Sequence, residues 1–196
     1  MRKKSVKKSV DWFTHQTDAV LKFVENFEAS QPTDEHITWA YEYAIIRMYR
    51  EFENLILDGI VAGINNDTSV LSAASGIRFP KHLTDEVCEY ILIGDGYFDF
   101  RGRDGLIKTL NTYLSDQHYI AVAIRKNDYK DALERLSALR NFAAHDSAKS
   151  KRAALKAVGQ NKLGSAGSWL KRQNRLTTIC NSLKQLAAEI KLAAPY

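Results

Sequence analysis

Arg140, Asn141 and His145 are the side chains of this sequence whose types and spacing suit chemistry on a phosphate ester. They lie in the run Leu139-Arg140-Asn141-Phe142-Ala143-Ala144-His145. An arginine keeps its charge and offers a planar set of donors to phosphate oxygens. A histidine titrates near neutral pH and takes or gives a proton. Cleaving RNA without a metal needs a base for the 2′-hydroxyl and a cation for the charged phosphorane, and it gains from a proton donor at the leaving 5′-oxygen. His145 is the base or acid of that set, Arg140 the cation, and Asn141 an amide that orients the histidine or holds a phosphate oxygen.

These residues must be positioned by a helix, and helical geometry sets a constraint. At about 100° per residue, Asn141 and His145 share one face with Ser137, while Arg140 lies about 140° away from His145. That angle puts Arg140 near the apolar stripe of Leu133, Leu136, Leu139 and Ala143. Either the helix breaks between Arg140 and His145, or Arg140 reaches along a protein interface. A plainer alternative pairs Arg140 with Glu51 or Glu53 and leaves His145 as a surface or capping residue.

The surrounding pattern predicts an all-α, single-domain helical bundle over residues 10–193, preceded by a basic N-terminal tail at 1–9. A first helix is expected over 10–28 with Phe13, Val20, Val24 and Phe27 along one side. Thr33 caps a second, with Asp34 and Glu35 in its first turn, and apolar spacing from Ile37 to Ile60 carries it on to Asn65-Asn66-Asp67. The connection from there to Phe79-Pro80 has no clear period. Thr84 caps a short helix to about Ile93, and residues 94–105 read as a loop. Helix resumes over 105–115 and from Asp128, whereas Tyr119 to Ile124 is open between helix and strand. A last helix starts near Gly164, with Trp169, Leu176, Ile179, Leu183, Leu186 and Ile190 forming a coiled-coil-like seam. That seam suits either the inside of a bundle or a subunit interface.

Charge is unevenly spread. The net +5 combines five positive charges in residues 1–8, eight positive against Asp146 alone in residues 146–175, and a remainder of −7. Lys149, Lys151, Arg152 and Lys156, just after His145, form either a phosphate-backbone surface or a solvated helix face. In the 94–105 loop, Arg101 and Arg103 with Tyr97, Phe98 and Phe100 are either a packed turn or a place for unpaired bases. The glycines of that loop follow no strand, and Asp95, Asp99 and Asp104 miss calcium-loop spacing, so no nucleotide cofactor or metal is expected. Cys88 and Cys180 have no Cys or His companion at ligand spacing and read as buried free thiols. His15, His36, His82 and His118 are scattered and read as structural. No apolar run follows the basic start or approaches membrane length, so a cytoplasmic protein with no membrane span is expected.

The Arg140-to-His145 run, with polar Asn141 after the arginine, resembles the R-x4-6-H motif of HEPN domains. The helix carrying Tyr49-Arg50-Glu51-Phe52-Glu53, the intervening loop and the final helix also look like a compact HEPN domain, of the RiboL-PSP type. The resemblance implies a small helical homodimer in which two motifs face each other across a groove. It further implies metal-independent endoribonuclease activity on single-stranded or loop RNA, in toxin–antitoxin or phage-defence biology, with an antitoxin as a further partner. The expected catalytic set is Arg140, Asn141 and His145. The expected RNA contacts are Lys149, Lys151, Arg152, Lys156, Arg101 and Arg103. A non-catalytic nucleic-acid or nucleotide-binding module, or a helical protein-interaction module, is the alternative. In one respect the chain departs from HEPN toxins controlled by tyrosine AMPylation, because Ser147 stands where they carry a tyrosine.

Overall fold

The helix predicted from the Ile37-to-Ile60 spacing is the spine of the molecule and runs from Asp34 to Asn66 (α2) in the computed structural model, which describes residues 4–195. Thr33 caps it as expected, accepting the His36 amide at 3.3 Å, with Asp34 and Glu35 complementing the positive end of the helix dipole. Around it are α1 (Val6–Ala29), α3 (Ser69–Ser75), α4 (Asp85–Ile93), α5 (Gly102–Tyr113), α6 (Tyr119–Arg125), α7 (Lys130–His145), α8 (Ala148–Val158), α9 (Ala166–Leu170) and α10 (Arg175–Ala193). A 3₁₀ turn, Asn127–Tyr129, leads into α7. There is no strand among the described residues, so the all-α expectation holds.

One face of α2 takes α1, antiparallel to it. Phe13 meets Phe52 edge-on at 5.9 Å between ring centroids, and Ser9 donates to Asp58 at 2.8 Å. Another face takes α7, with α4, α5, α9 and α10 closing the remaining sides. Met48, Phe52, Ile56, Leu106, Leu133, Leu136, Leu139, Phe142, Leu183 and Leu186 belong to one continuous apolar core. Burying a side chain of this size contributes about 1.5–3 kcal/mol, and that burial fixes α7 against the spine.

Several boundaries differ from the sequence reading. Residues 4–9 do not form a free tail: α1 begins at Val6, Val6 and Val10 are buried, and Lys4 bridges Asp58 on α2 and Glu89 on α4 at 2.5 and 3.1 Å. The first three residues of the expected tail lie outside the described residues. The segment Tyr119 to Ile124 is helix, and part of the connection that lacked a clear period forms α3. The last helix is two helices, because Gln173 and Asn174 turn the backbone left-handed (φ 55° and 53°). The apolar seam that spans them is buried within the chain against α1, α6 and α7, so it is an intramolecular surface.

α9 is held by a close approach. A Cβ on Gly167 would stand 2.0 Å from the Thr38 carbonyl oxygen of α2, so only glycine lets the two backbones meet here. The Gly167 amide also donates to Glu42 of α2 at 3.2 Å.

Candidate functional site

α7 carries the three expected catalytic residues. Leu133, Leu136, Leu139 and Phe142 are buried toward the core, which leaves Arg140 and Asn141 half-buried at the edge of the α2 interface. The helix is unbroken through His145, its last residue, and only then does Asp146 turn left-handed (φ 37°). A helix break between Arg140 and His145 is therefore ruled out. Their side chains leave the helix about 140° apart, and their Cα atoms differ by about 7.5 Å of rise. One chain does not bring them together.

Arg140 has a defined seat. Its guanidinium lies over the Tyr49 ring of α2, 4.6 Å from the centroid, and its Nη1 donates to Asn141 Oδ1 at 2.8 Å. A guanidinium over an aromatic face is held by the ring quadrupole, and the planar fork stacks well there. Tyr49 is itself buried and fixed, its hydroxyl lying 2.8 Å from Asp99 Oδ1 and 2.7 Å from the Phe100 carbonyl oxygen, with the tilted Phe100 ring beside it at 5.0 Å between centroids. Burial and the neighbouring carboxylates hold the Tyr49 phenol well above its ordinary range.

Two acids considered as partners for Arg140 separate clearly. Glu51 pairs with Arg47 at 2.7 Å, on the α1 side of the spine. Glu53 is on the α7 side and feels the Arg140 charge, but no ion pair within 4 Å joins them. Loss of hydration on burial pushes the Glu53 carboxyl up to about 7, Arg140 and Arg50 acting against the rise and Asp99 adding to it. Its Oε1 is buried without a hydrogen-bond partner. Tyr49, Glu53 and Asp99 thus complete a cluster that sequence reasoning did not assemble. Tyr49 and Glu53 stand four residues apart on α2, which was the available signal.

His145 has the opposite setting. It is exposed, it closes the last turn of α7 where the dipole favours a cation, and it makes no hydrogen bond or ion pair with the described residues. Ser147 starts the next helix two residues later as its N-cap, exchanging hydrogen bonds with Ser150 in a capping box. That role accounts for a small hydroxyl at this position. On α8, Ser150 and Ala154 are buried while Lys149, Arg152 and Lys156 line the opposite, solvent-facing side; Lys151 is exposed on its flank. Among the described residues, none of these four cations has an ion-pair partner within 4 Å.

The two loop arginines divide. Arg103 is engaged within the chain: its guanidinium donates to the Ile124 carbonyl at 3.1 Å and to the carbonyls of Arg125 and Lys126, capping the C-terminal end of α6. The expected RNA contact at Arg103 thus falls on a side chain that also holds α6 in place. Arg101 is exposed, its backbone lying between Phe100, which packs on Tyr49, and Gly102, whose amide donates to Ser137 of α7. Phe100 is core and Tyr97 is exposed. Cys88 and Cys180 are buried, with burial pushing their thiols up to about 11 and about 12. No cluster of three or more metal-ligating side chains occurs among the described residues, and none of the helices described is long and apolar enough to cross a membrane.

The chain matches no family model, no curated protein and no solved structure.

Proposed function

We propose that this protein is a metal-independent endoribonuclease of the HEPN kind, cutting single-stranded or loop RNA as a pair of identical chains. The observation that carries the reading is the corner where α7 meets α8. There His145 is exposed and, among the described residues, without a partner, and the helix that follows turns Lys149, Arg152 and Lys156 to solvent with no acid within ion-pair reach. A polyanion laid along that face meets cations first and an exposed imidazole next. Because Arg140 and His145 point apart on one helix, the reading requires a second copy to bring its His145 toward this chain's Arg140. The toxin–antitoxin or phage-defence setting and an antitoxin partner belong to the same proposal, through the HEPN resemblance, and a cytoplasmic location belongs to it through the sequence pattern.

Incubation of the purified protein with labelled single-stranded RNA in EDTA tests it. Cutting by the parent and none by His145→Ala is the expected result, together with a light-scattering mass about twice 22.2 kDa. The separation of Arg140 from His145 in one chain favours a second reading, a binding module without catalysis. RNA retained but never cut, with affinity unchanged in His145→Ala, would decide for that module.

A further inference from the structure

We propose that the groove between residues 94–101 and α5 is a pocket for one guanine base. It is a cavity of about 270 Å³, walled by the rings of Tyr97, Phe98 and Tyr113, with Asp99 and Lys108 as its charged lining. That volume lies at the small end of ligand clefts and suits one planar base with its sugar. The walls are fixed to different degrees. Phe98 and Tyr113 are half-buried, and Phe98 packs against Phe100 at 6.5 Å between centroids. Tyr97 is 82% exposed, so packing does not account for an aromatic ring there. One open ring beside two anchored ones is a stacking platform for a base of any kind.

Selection falls to the two charged groups. Asp99 is exposed and accepts from the Tyr49 hydroxyl at 2.8 Å through Oδ1. Among the described residues no cation lies within ion-pair reach of it, and its second oxygen has no hydrogen-bond partner. A carboxylate only accepts, so the base that it selects must present donors. Guanine alone sets two of them side by side, N1–H and the N2 amine, on its Watson–Crick edge. Adenine and cytosine place one amine beside an acceptor nitrogen of the ring, and uracil flanks its single N–H with two carbonyls. Next to the guanine donors stands O6, an acceptor for the ammonium of Lys108. That side chain is exposed too, and without an ion-pair partner among the described residues.

Asp99 also joins the groove to the cation of α7. Its Oδ1 holds the hydroxyl of Tyr49, whose ring carries the Arg140 guanidinium 4.6 Å from the centroid. One nucleotide is long enough to put its base at Asp99 and its phosphate at Arg140. Placing the guanine within an RNA rests on the ribonuclease reading and deepens it, whereas the pocket itself stands without that reading.

Calorimetric titration in EDTA with the 5′-monophosphates of guanosine, inosine, adenosine, cytidine and uridine tests the pocket directly. Wild type should bind GMP about tenfold or more tighter than the rest, as expected for a bidentate contact to a base edge. Inosine keeps N1–H and lacks the N2 amine, so IMP should fall with the others. Asp99→Asn should shrink the GMP-over-AMP ratio about tenfold, whereas Tyr97→Ala should weaken all the nucleotides alike, about fivefold. The ratio is the readout because a merely structural loss at Asp99 would weaken every nucleotide together. A second arm offers labelled single-stranded RNA with one guanosine, and the same strand with inosine or adenosine in its place. Tighter binding of the guanosine strand, with cutting beside that base, places the guanine in RNA. A GMP preference that no strand reproduces keeps the pocket and assigns it to a free guanine nucleotide. Equal treatment of guanine and its substitutes in both arms overturns the inference, and leaves the ribonuclease reading intact wherever RNA is still cut. Guanine preference without cutting overturns that reading and leaves the pocket. Should Asp99→Asn fail to fold, equal affinity of wild type for GMP and IMP decides against the assignment.

Discussion

Arg140 and His145 belong to one helix and live in different surroundings. Arg140 is seated on a buried tyrosine, tied to Asn141 and faced by a half-buried glutamate; His145 stands in solvent at a corner, with no polar partner among the described residues. The contrast separates two things a cation or imidazole contributes. A seated residue serves the fold and the ligand together, so its loss is felt in both. An unseated one adds no packing to the fold, so its loss is felt only through what reaches it from outside.

The largest effects should expose that difference. Arg140→Ala and His145→Ala should each lower cleavage on the order of a hundredfold or more, through lost electrostatic and acid–base catalysis. Only Arg140→Ala should also lower unfolding stability, by about 1 kcal/mol for the lost cation–π seat. Equal stability losses in a denaturant titration would erase the distinction. Next, cutting should persist in EDTA and fail on a substrate with 2′-deoxyribose at the cut position. Products carrying a 5′-phosphate, formed only with Mg²⁺, would remove the mechanism altogether.

The open corner is probed by replacing Lys149, Lys151 and Arg152 together with alanine. Binding should weaken, and the slope of log affinity against log salt should flatten by about 2, because each single-strand phosphate left without its cation takes about 0.7 from that slope. Turnover at saturating RNA should stay the same; its loss would mean that the catalytic cation is on α8. The seat is probed more gently by Tyr49→Phe, which keeps the ring under Arg140 and deletes the hydroxyl beside Asp99 and Phe100. A stability loss of about 1 kcal/mol with cleavage nearly intact is expected.

The last prediction concerns Glu53 and pH. A glutamate has an ordinary value of 4.5, and this one in the folded chain titrates at about 7. The folded chain therefore holds the proton through a window in which the unfolded chain has released it. Its contribution to stability falls as pH rises from 4.5 to 7. Glu53→Gln should gain melting temperature over wild type above pH 7 and show no such gain below pH 4.5. An equal difference at both ends would place Glu53 in a solvated setting.

The spine and its caps were legible because a threonine, two acids and a long apolar period all agree. α8 was not, since its buried side is made of Ser150 and Ala154, too small and polar to register against three cations. The break at Gln173-Asn174 was invisible for another reason: the seven-residue step from Trp169 to Leu176 preserves the apparent period across it. Arg140, Asn141 and His145 were found by type and spacing. The setting of Arg140 was not, because Tyr49, Glu53 and Asp99 reach it only through the packing of α2 on α7 and the path of the loop before α5. Glu53 was legible only as one of two acids for a salt bridge, and Arg140 settled on the ring of Tyr49 instead.

α10 lies between α1, α6 and α7, and Lys184 and Lys191 reach back to Asp18 and Asp11 on α1. Every element it packs against precedes it in synthesis. On the ribosome α1 and α2 can pair early, since they are neighbours in the chain, while the side of α1 destined for α10 stays open until α10 itself has emerged. A nascent chain paused before Arg175 would show solvent the apolar trough meant for Leu176, Ile179, Leu183, Leu186 and Ile190. Emergence of residues 175–193 therefore decides when the open side of α1 is covered.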